Sequence, residues 1–180
     1  MTDRYVMCAR AVSKGSFTTE PGKTLYLVVP PGVLPTPQHA VRREVWLKGL
    51  LDLAAWGIDE RVGAGVPRGD ILFFVHGYNN DQDCVMKRHD RLAADLDEAG
   101  FKGAVVSYDW SSDDTALNYL EDRHDAKRSA MQLVSDGIHL LSKAQRPDCA
   151  INVHLLGHST GAYVIREAFD DADDARLENN

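Results

Sequence analysis

From Ile151 to Phe169 the chain reads INVHLLGHSTGAYVIREAF. Its first six residues form a short apolar run, which is typical of a strand inside a sheet, and the residues from Ala162 onward have the apolar spacing of a helix. Between the two lies the pentapeptide GHSTG, residues 157–161, a turn of the Gly-x-Ser-x-Gly type. The stretch therefore predicts a strand, a very tight turn and a helix in direct succession.

Ser159 is the residue that this turn would present. A serine at the tip of so tight a turn must adopt a strained backbone conformation that lifts its hydroxyl clear of the sheet, and neighbouring side chains would clash there. Gly157 and Gly161 are the flanking positions that lack side chains. Because the helix starts just after Ser159, the N–H of Thr160 has no partner within the helix and can bind a developing oxyanion. The sequence thus predicts a nucleophilic serine with one oxyanion donor beside it.

Two further apolar runs of strand length precede this stretch, at Asp70–Val75 and Ala104–Tyr108. Amphipathic helices are predicted between the strands, at Asp83–Ala99 and at Leu117–Lys143. Buried strands that alternate with helices are typical of a parallel sheet covered on both faces. The predicted fold class is α/β, with a mostly parallel sheet flanked by helices.

The first 69 residues carry weaker signals. They predict an irregular lead-in as far as residue 23 with one edge strand at Tyr5–Ala9, a strand at Thr24–Val29, a helix or helix-turn pair within Gln38–Trp56, and a glycine-rich loop at Gly63–Gly69. A chain of 180 residues is long enough for one domain with a sizeable core. We therefore predict a single domain over residues 1–180, in which residues 1–69 supply a lead-in, a strand and a helix, and residues 70–180 supply the core.

Composition limits the partners and the compartment. The formal net charge of -7, without an offsetting basic run, argues against a nucleic-acid partner. The three cysteines, Cys8, Cys84 and Cys149, are far apart, which predicts neither a disulfide framework nor a zinc site and favours the cytoplasm. No segment has the length and apolarity of a membrane span, and no ligand spacing predicts a metal or another cofactor. The expected partner is a small-molecule substrate.

Polar residues follow each of the three predicted strands, at the edge where sites form in parallel sheets. They are His76-Gly77-Tyr78, Asp109-Trp110 and Ser159. Gly77 would let the backbone approach a substrate, and the Tyr78 N–H is the expected second oxyanion donor. We expect His76 to orient its loop without transferring protons. Asp109 and Trp110 are candidates for lining a substrate pocket.

Four segments together carry a resemblance to a known family. They are Phe73–Asn79, Asp109–Ser111, the Tyr119-x-x-Asp122 segment and the pentapeptide 157–161. In order and spacing they resemble the α/β-hydrolase superfamily, and most of all an uncharacterised bacterial branch, domain of unknown function 900. The resemblance implies a serine hydrolase that acts on carboxylic esters through an acyl-enzyme at Ser159. It also implies an oxyanion hole made by the amides of Tyr78 and Thr160, with His76, Gly77, Gly157, His158 and Gly161 as supporting motif residues.

One departure from the superfamily pattern concerns the triad. The acid and the histidine should follow the serine in the chain, but no histidine follows Ser159. His158 is adjacent to the serine, and the geometry of a tight turn sends neighbouring side chains in different directions. We therefore expect the acid and the histidine in sequence beyond residue 180, with a sheet that is incomplete at its C-terminal side.

Two alternatives remain open. The missing groups could be supplied by another chain, or the protein could be a non-catalytic interaction module on a degenerate hydrolase scaffold. The second alternative predicts self-association through the incomplete edge of the sheet and no turnover of short-chain esters.

Overall fold

An antiparallel hairpin of two long strands begins the chain. The structure is a computed structural model that describes residues 2–58, 65–112, 127–144 and 150–177, with residues 142–144 and 171–177 described by their backbone alone. Strand β1 (Arg4–Ser13) and strand β2 (Ser16–Val29) are joined by Lys14 and Gly15, whose φ angles are 51° and 80°. Positive φ angles at both residues are typical of the two-residue hairpin turn whose backbone twist matches the twist of the strands that it joins.

This hairpin corrects the expectation of an irregular lead-in with an edge strand. β1 lies inside the sheet, because it pairs antiparallel with β2 on one side and parallel with strand β6 (Ala104–Asp109) on the other. The predicted Thr24–Val29 strand is correct, but it is only the second half of β2. The polar composition of the first half concealed it, since the strand is largely solvent-accessible there.

The remaining strands complete a mixed sheet of seven strands in the described residues. Its order is β3-β2-β1-β6-β5-β4, and β7 also pairs with β5. The strands not yet introduced are β3 (Ala40–Val41), β4 (Ala55–Ile58), β5 (Pro67–Val75) and β7 (Ala150–Gly157). Four of the strands run parallel to one another: β1, β6, β5 and β7. The three apolar runs of the sequence predicted this arrangement for β5, β6 and β7. β5 starts at Pro67 rather than Asp70, since its first residues pair with β4 where a loop was expected.

Helices cover both faces of the sheet. They are α1 (Arg43–Ala54), α2 (Gln82–Glu98), the helical residues 127–144 (α3), which include a π-helical segment at Leu133–Ile138, and α4 (Thr160–Leu177). In α2 the side chain of Asp81 caps the first turn by accepting from the N–H of Cys84, and Gly100, at φ 86°, ends the helix as predicted. The first ten residues of the helix predicted at Leu117–Lys143 lie outside the described residues.

Alternating residues of the sheet supply two separate cores. On one face Val6 and Cys8 of β1 pack with Val85 and Met86 of α2. On the other face Met7 and neighbouring strand residues pack with the buried sides of α1, α3 and α4. Each large apolar side chain buried in this way stabilises the fold by roughly 1.5–3 kcal/mol. A sheet held from both sides fixes the carboxyl ends of its parallel strands, which is where the polar residues predicted above are found.

Candidate active site

Ser159 occupies the turn between β7 and α4 in a strained conformation. Its φ of 55° lies in the left-handed region, which residues other than glycine rarely adopt. The residue is exposed, and α4 begins at the next residue, Thr160. The strand, tight turn and helix predicted from the sequence are therefore present, and the serine is accessible from solvent.

The two glycines of the pentapeptide are required by close backbone packing. A Cβ on Gly157 would come within 2.6 Å of the Cα and N atoms of Ala162, and a Cβ on Gly161 would overlap the carbonyl oxygen of Val75. The N–H of His158 donates to that same carbonyl oxygen at 3.0 Å. The turn is thus fastened to the end of β5, which brings Ser159 beside the loop that follows β5.

Gly77 is the point at which the two segments meet. A Cβ built on Gly77 would lie 2.8 Å from the carbonyl oxygen of His158 and 3.0 Å from the Cβ of Ser159. Only a glycine allows so close an approach, because ordinary contacts between such atoms are longer than about 3.4 Å. The loop and the serine are therefore held against each other, as the sequence predicted from the strand ends.

Asn80 and His76 fix the orientation of the loop. The carbonyl oxygen of Gly77 accepts from Asn80 Nδ2 at 2.7 Å and from His76 Nδ1, also at 2.7 Å, while the carbonyl oxygen of Tyr78 accepts from Asn80 Nδ2 at 2.8 Å. In a trans peptide unit the C=O and the following N–H point in opposite directions. The Tyr78 N–H therefore points away from the side chains that hold the Gly77 carbonyl.

Thr160 begins α4, and the first N–H groups of a helix have no partner within it. The N–H groups of the next two residues, Gly161 and Ala162, donate at 3.0 Å to the carbonyl oxygens of His158 and Ser159. Among the backbone hydrogen bonds of the described residues, none uses the Thr160 N–H as donor. This N–H is thus available beside Ser159.

A buried ion pair supports the loop from behind. Arg10 Nε donates to Asp109 Oδ1 at 2.7 Å, and Arg10 Nη2 donates to the carbonyl oxygen of Asn80 at 2.8 Å. Burial by itself would raise the pKa of Asp109, but the adjacent His76 ring and the charge of Arg10 outweigh burial and lower that pKa to about 2. Asp109 is therefore a permanent anion that anchors the loop through Arg10.

His76 and Trp110 complete this support. The Trp110 ring stacks on His76 with the ring centroids 5.5 Å apart, and Trp110 Nε1 donates to the His76 carbonyl oxygen at 2.8 Å. His76 Nδ1 donates to the Gly77 carbonyl, and His76 Nε2 lies 3.3 Å from Asp109 Oδ1 and 3.2 Å from the Trp110 backbone nitrogen. His76 thus orients the loop by hydrogen bonds. Asp109 and Trp110, which were expected to line a pocket, are only 1% and 2% exposed, and we place them in this support.

His158 is held by a residue of α2. Arg88 Nη1 lies 3.2 Å from His158 Nδ1. A guanidinium only donates, so Nδ1 must carry no proton and the ring proton must be on Nε2. The His158 Nδ1 atom is also 3.1 Å from the Cβ position of Gly77, which places the Arg88 guanidinium at the junction of the loop and the serine turn.

Two other described histidines have partners of their own. His89 Nδ1 bonds to Ser107 Oγ at 2.8 Å, and His154 Nε2 bonds to Asp70 Oδ1 at 2.9 Å. No hydrogen bond within the described part of the chain joins a histidine to the Ser159 hydroxyl. Tyr119 and Asp122, which contributed to the family resemblance, lie outside the described residues.

A cavity of about 400 Å³ opens beside the same loop. Its lining residues come mainly from the β1–β2 hairpin, the loop after β5 and the start of α2, with Ser112 from the segment after β6; they include Arg10, Phe17, Asn79, Asn80 and Gln82. Ser159 is not among them. In the ranges that the structure describes, no group of histidines, cysteines and carboxylates is arranged to hold a metal ion.

Two site residues escaped the sequence analysis. Arg10 lies in a segment interpreted as lead-in, although the apolar run at Tyr5–Ala9 just before it is a signal for a buried strand. Arg88 lies within the predicted amphipathic helix Asp83–Ala99, and no sequence pattern distinguishes it from its charged neighbours. Both act over separations of 70 residues or more along the chain, since Arg10 bonds to Asn80 and Arg88 to His158.

Comparison with known proteins agrees with this geometry. No curated protein and no solved structure matches the chain. No helix in the described ranges is long and apolar enough to cross a membrane. Residues 60–176 match the family model described as an alpha/beta hydrolase of unknown function (DUF900), and the chain accordingly belongs to that family.

Proposed function

We propose that the protein is a serine hydrolase that cleaves carboxylic esters through an acyl-enzyme formed on Ser159. The observation that carries the proposal is the strained, exposed Ser159 in contact distance of Gly77, at a junction where three glycines exclude side chains. Backbone strain of this kind costs about 1–3 kcal/mol and persists where the surrounding structure enforces it, often at functional sites. Family membership supports hydrolysis in general, and the serine turn supports the serine as nucleophile.

In the proposed reaction the Ser159 oxygen attacks the ester carbonyl carbon and loses its proton to a base. The tetrahedral intermediate carries a negative oxygen, for which the amides of Thr160 and Tyr78 are the proposed donors. Its collapse breaks the bond to the alcohol, which leaves with a proton, and water then attacks the acyl-serine to release the acid. One donor of such an oxyanion hole is worth about 3–4 kcal/mol in the transition state.

The hydrogen bond between Arg88 and His158 argues against His158 as the base. Its Nδ1 lone pair is occupied by the guanidinium, and its Nε2 already carries the ring proton. A protonated imidazole nitrogen can donate a hydrogen bond but cannot accept the serine proton. The base and the acid that would orient it are thus to be sought outside the described residues.

Labelling by a fluorophosphonate probe tests the proposal directly. The probe should attach to the peptide that contains Ser159, and Ser159→Ala should abolish the mass shift. Ser16→Ala is the matched control, because Ser16 is equally an exposed serine but lies in the β1–β2 hairpin. Absence of labelling in the unmodified protein, or equal labelling of Ser159→Ala, would overturn the proposal.

A second candidate function is the non-catalytic interaction module. It is favoured by the exposure of large apolar residues on β7 and α4, where Leu156 is 41% and Phe169 56% exposed. It predicts concentration-dependent self-association in sedimentation together with no labelling of Ser159. A monomer that labels at Ser159 would exclude it.

The proposed compartment is the cytoplasm. The described cysteines, Cys8 and Cys84, are both free thiols. Burial raises the pKa of Cys8 well above its ordinary value, so this thiol is a packed core group rather than a reactive one.

A further inference from the structure

Arg88 is a cation of α2 for which the described residues provide no carboxylate partner. Lys87 pairs with Asp83, and Arg91 lies 3.8 Å from Asp95, each four residues apart on the helix surface. Arg88 takes part in no ion pair with a carboxylate among the described residues, and its partner there is the uncharged ring of His158. A half-buried guanidinium therefore keeps its positive charge at the serine turn.

A chain of close contacts links Arg88 to the serine turn. Arg88 Nη1 is 3.2 Å from His158 Nδ1, and that atom is 3.1 Å from the Cβ position of Gly77, which is itself 3.0 Å from the Ser159 Cβ. The guanidinium has five N–H donors, of which the contact to His158 uses one. Its remaining donors match the two oxygens of a carboxylate in a bidentate arrangement.

Two buried carboxylates of the described residues are already paired with other cations. Asp109 is buried and paired with Arg10, and Glu167 is bound by Arg166 and Lys127. The chain as a whole carries a formal charge of -7, which repels anions at long range. The local charge of Arg88 opposes this repulsion at the serine turn.

We propose that Arg88 is a specificity-determining residue that binds a carboxylate on the substrate, so that the ester hydrolysed at Ser159 carries an anionic group close to the scissile bond. This inference rests on the proposed function. His158 contributes by fixing one edge of the guanidinium and presenting its Nε2 proton on the other side of its ring. A monoester of a short dicarboxylic acid is the simplest substrate of this class.

The binding test does not require turnover. Glutarate and the neutral glutaramide, which have the same length, are titrated into the ¹⁵N-labelled protein while the backbone signals of Gly77 and Thr160 are followed. Glutarate should bind and glutaramide should bind at least roughly tenfold more weakly, since a hydrogen-bonded charge is worth about 1.5–3 kcal/mol. Inorganic phosphate is a third arm, and tighter binding of phosphate than of glutarate would contradict the choice of a carboxylate.

The variants separate recognition from a structural role. Arg88→Met should weaken glutarate binding roughly tenfold and leave glutaramide binding unchanged, and Arg88→Lys should restore part of the loss. Arg91→Met removes the same charge from an exposed position of the same helix and should have no effect. Equal weakening by the two methionine variants, or equal loss of both ligands in Arg88→Met, would overturn the inference.

The labelling experiment keeps the two proposals apart. Arg88→Met should still label at Ser159. In this variant the ratio of kcat/KM for mono-(4-nitrophenyl) glutarate to kcat/KM for 4-nitrophenyl butyrate should fall roughly tenfold. If Ser159 is labelled but Arg88→Met does not change the preference between these esters, the serine hydrolase proposal is supported and the role of Arg88 is rejected. Carboxylate binding without labelling would retain the anion site and reject the hydrolase.

Discussion

His89 provides a pH-dependent contribution to stability that can be calculated from the structure. It lies on α2, is 4% exposed, and bonds through Nδ1 to Ser107 Oγ of β6 at 2.8 Å. Burial lowers the pKa of His89 from 6.5 to about 4, and the two nearby charges, Asp90 and Arg4, oppose each other. They also form an ion pair of their own at 3.1 Å.

The sign of the effect follows from which state binds the proton. Between pH 6.5 and about 4 the unfolded chain protonates this histidine and the folded chain does not. The stabilisation is therefore complete above pH 6.5 and is lost as the pH falls toward 4. Over the whole window the loss is about 3 kcal/mol, and about 2 kcal/mol of it occurs between pH 7.5 and 5, above the range in which most carboxylates titrate.

Urea unfolding at pH 7.5 and pH 5, at constant ionic strength, measures this loss of stability. In His89→Gln, whose amide can still bond to Ser107, the loss of stability between the two pH values should be about 2 kcal/mol smaller than in the unmodified protein. His139→Gln is the control, because His139 is exposed on α3. The same pH dependence in His89→Gln and the unmodified protein would refute the assignment of the proton linkage to His89.

Two further predictions concern the site. Gly77→Ala would place a Cβ 2.8 Å from the His158 carbonyl oxygen, so the loop must move by roughly 0.5 Å. The labelling rate of Ser159 should therefore fall about tenfold. Gly57→Ala is the control, because open space surrounds Gly57 and the labelling rate should stay unchanged. Arg10→Met would leave the buried Asp109 carboxylate without its guanidinium partner and should lower the free energy of unfolding by about 3–5 kcal/mol. Addition of Asp109→Asn should recover part of this loss, and no recovery would show that the charge is not the cause.

The sequence predicted those parts of the fold that depend on local pattern. Continuous apolar runs predicted β5, β6 and β7, and the GHSTG pentapeptide predicted the turn at Ser159, because tight turns and buried strands impose requirements on adjacent residues. The β1–β2 hairpin was missed because its exposed half has the polar composition of a loop. Its turn at Lys14-Gly15 was the available signal.

The candidate site was predictable only in its local components. The approach of Gly77 to Ser159 followed from the rule that parallel strands end at one edge. The contacts of Arg10 with Asp109 and of Arg88 with His158 join segments 99 and 70 residues apart, and they depend on strand order and helix placement that no local pattern encodes. Asp109 and Trp110 were correctly placed at a strand end, but whether a side chain there faces the solvent or the interior depends on tertiary packing.

The position of β1 has a practical consequence for dissecting the molecule. The family match begins at residue 60, yet β1 is the parallel neighbour of β6 and supplies the guanidinium that neutralises Asp109. A fragment cut to the matched residues would expose one side of β6 and leave a carboxylate without its counter-ion beneath the loop. Deletion studies and chimeras should therefore keep the first sixty residues, since the recognisable portion of the sequence is smaller than the unit that can fold.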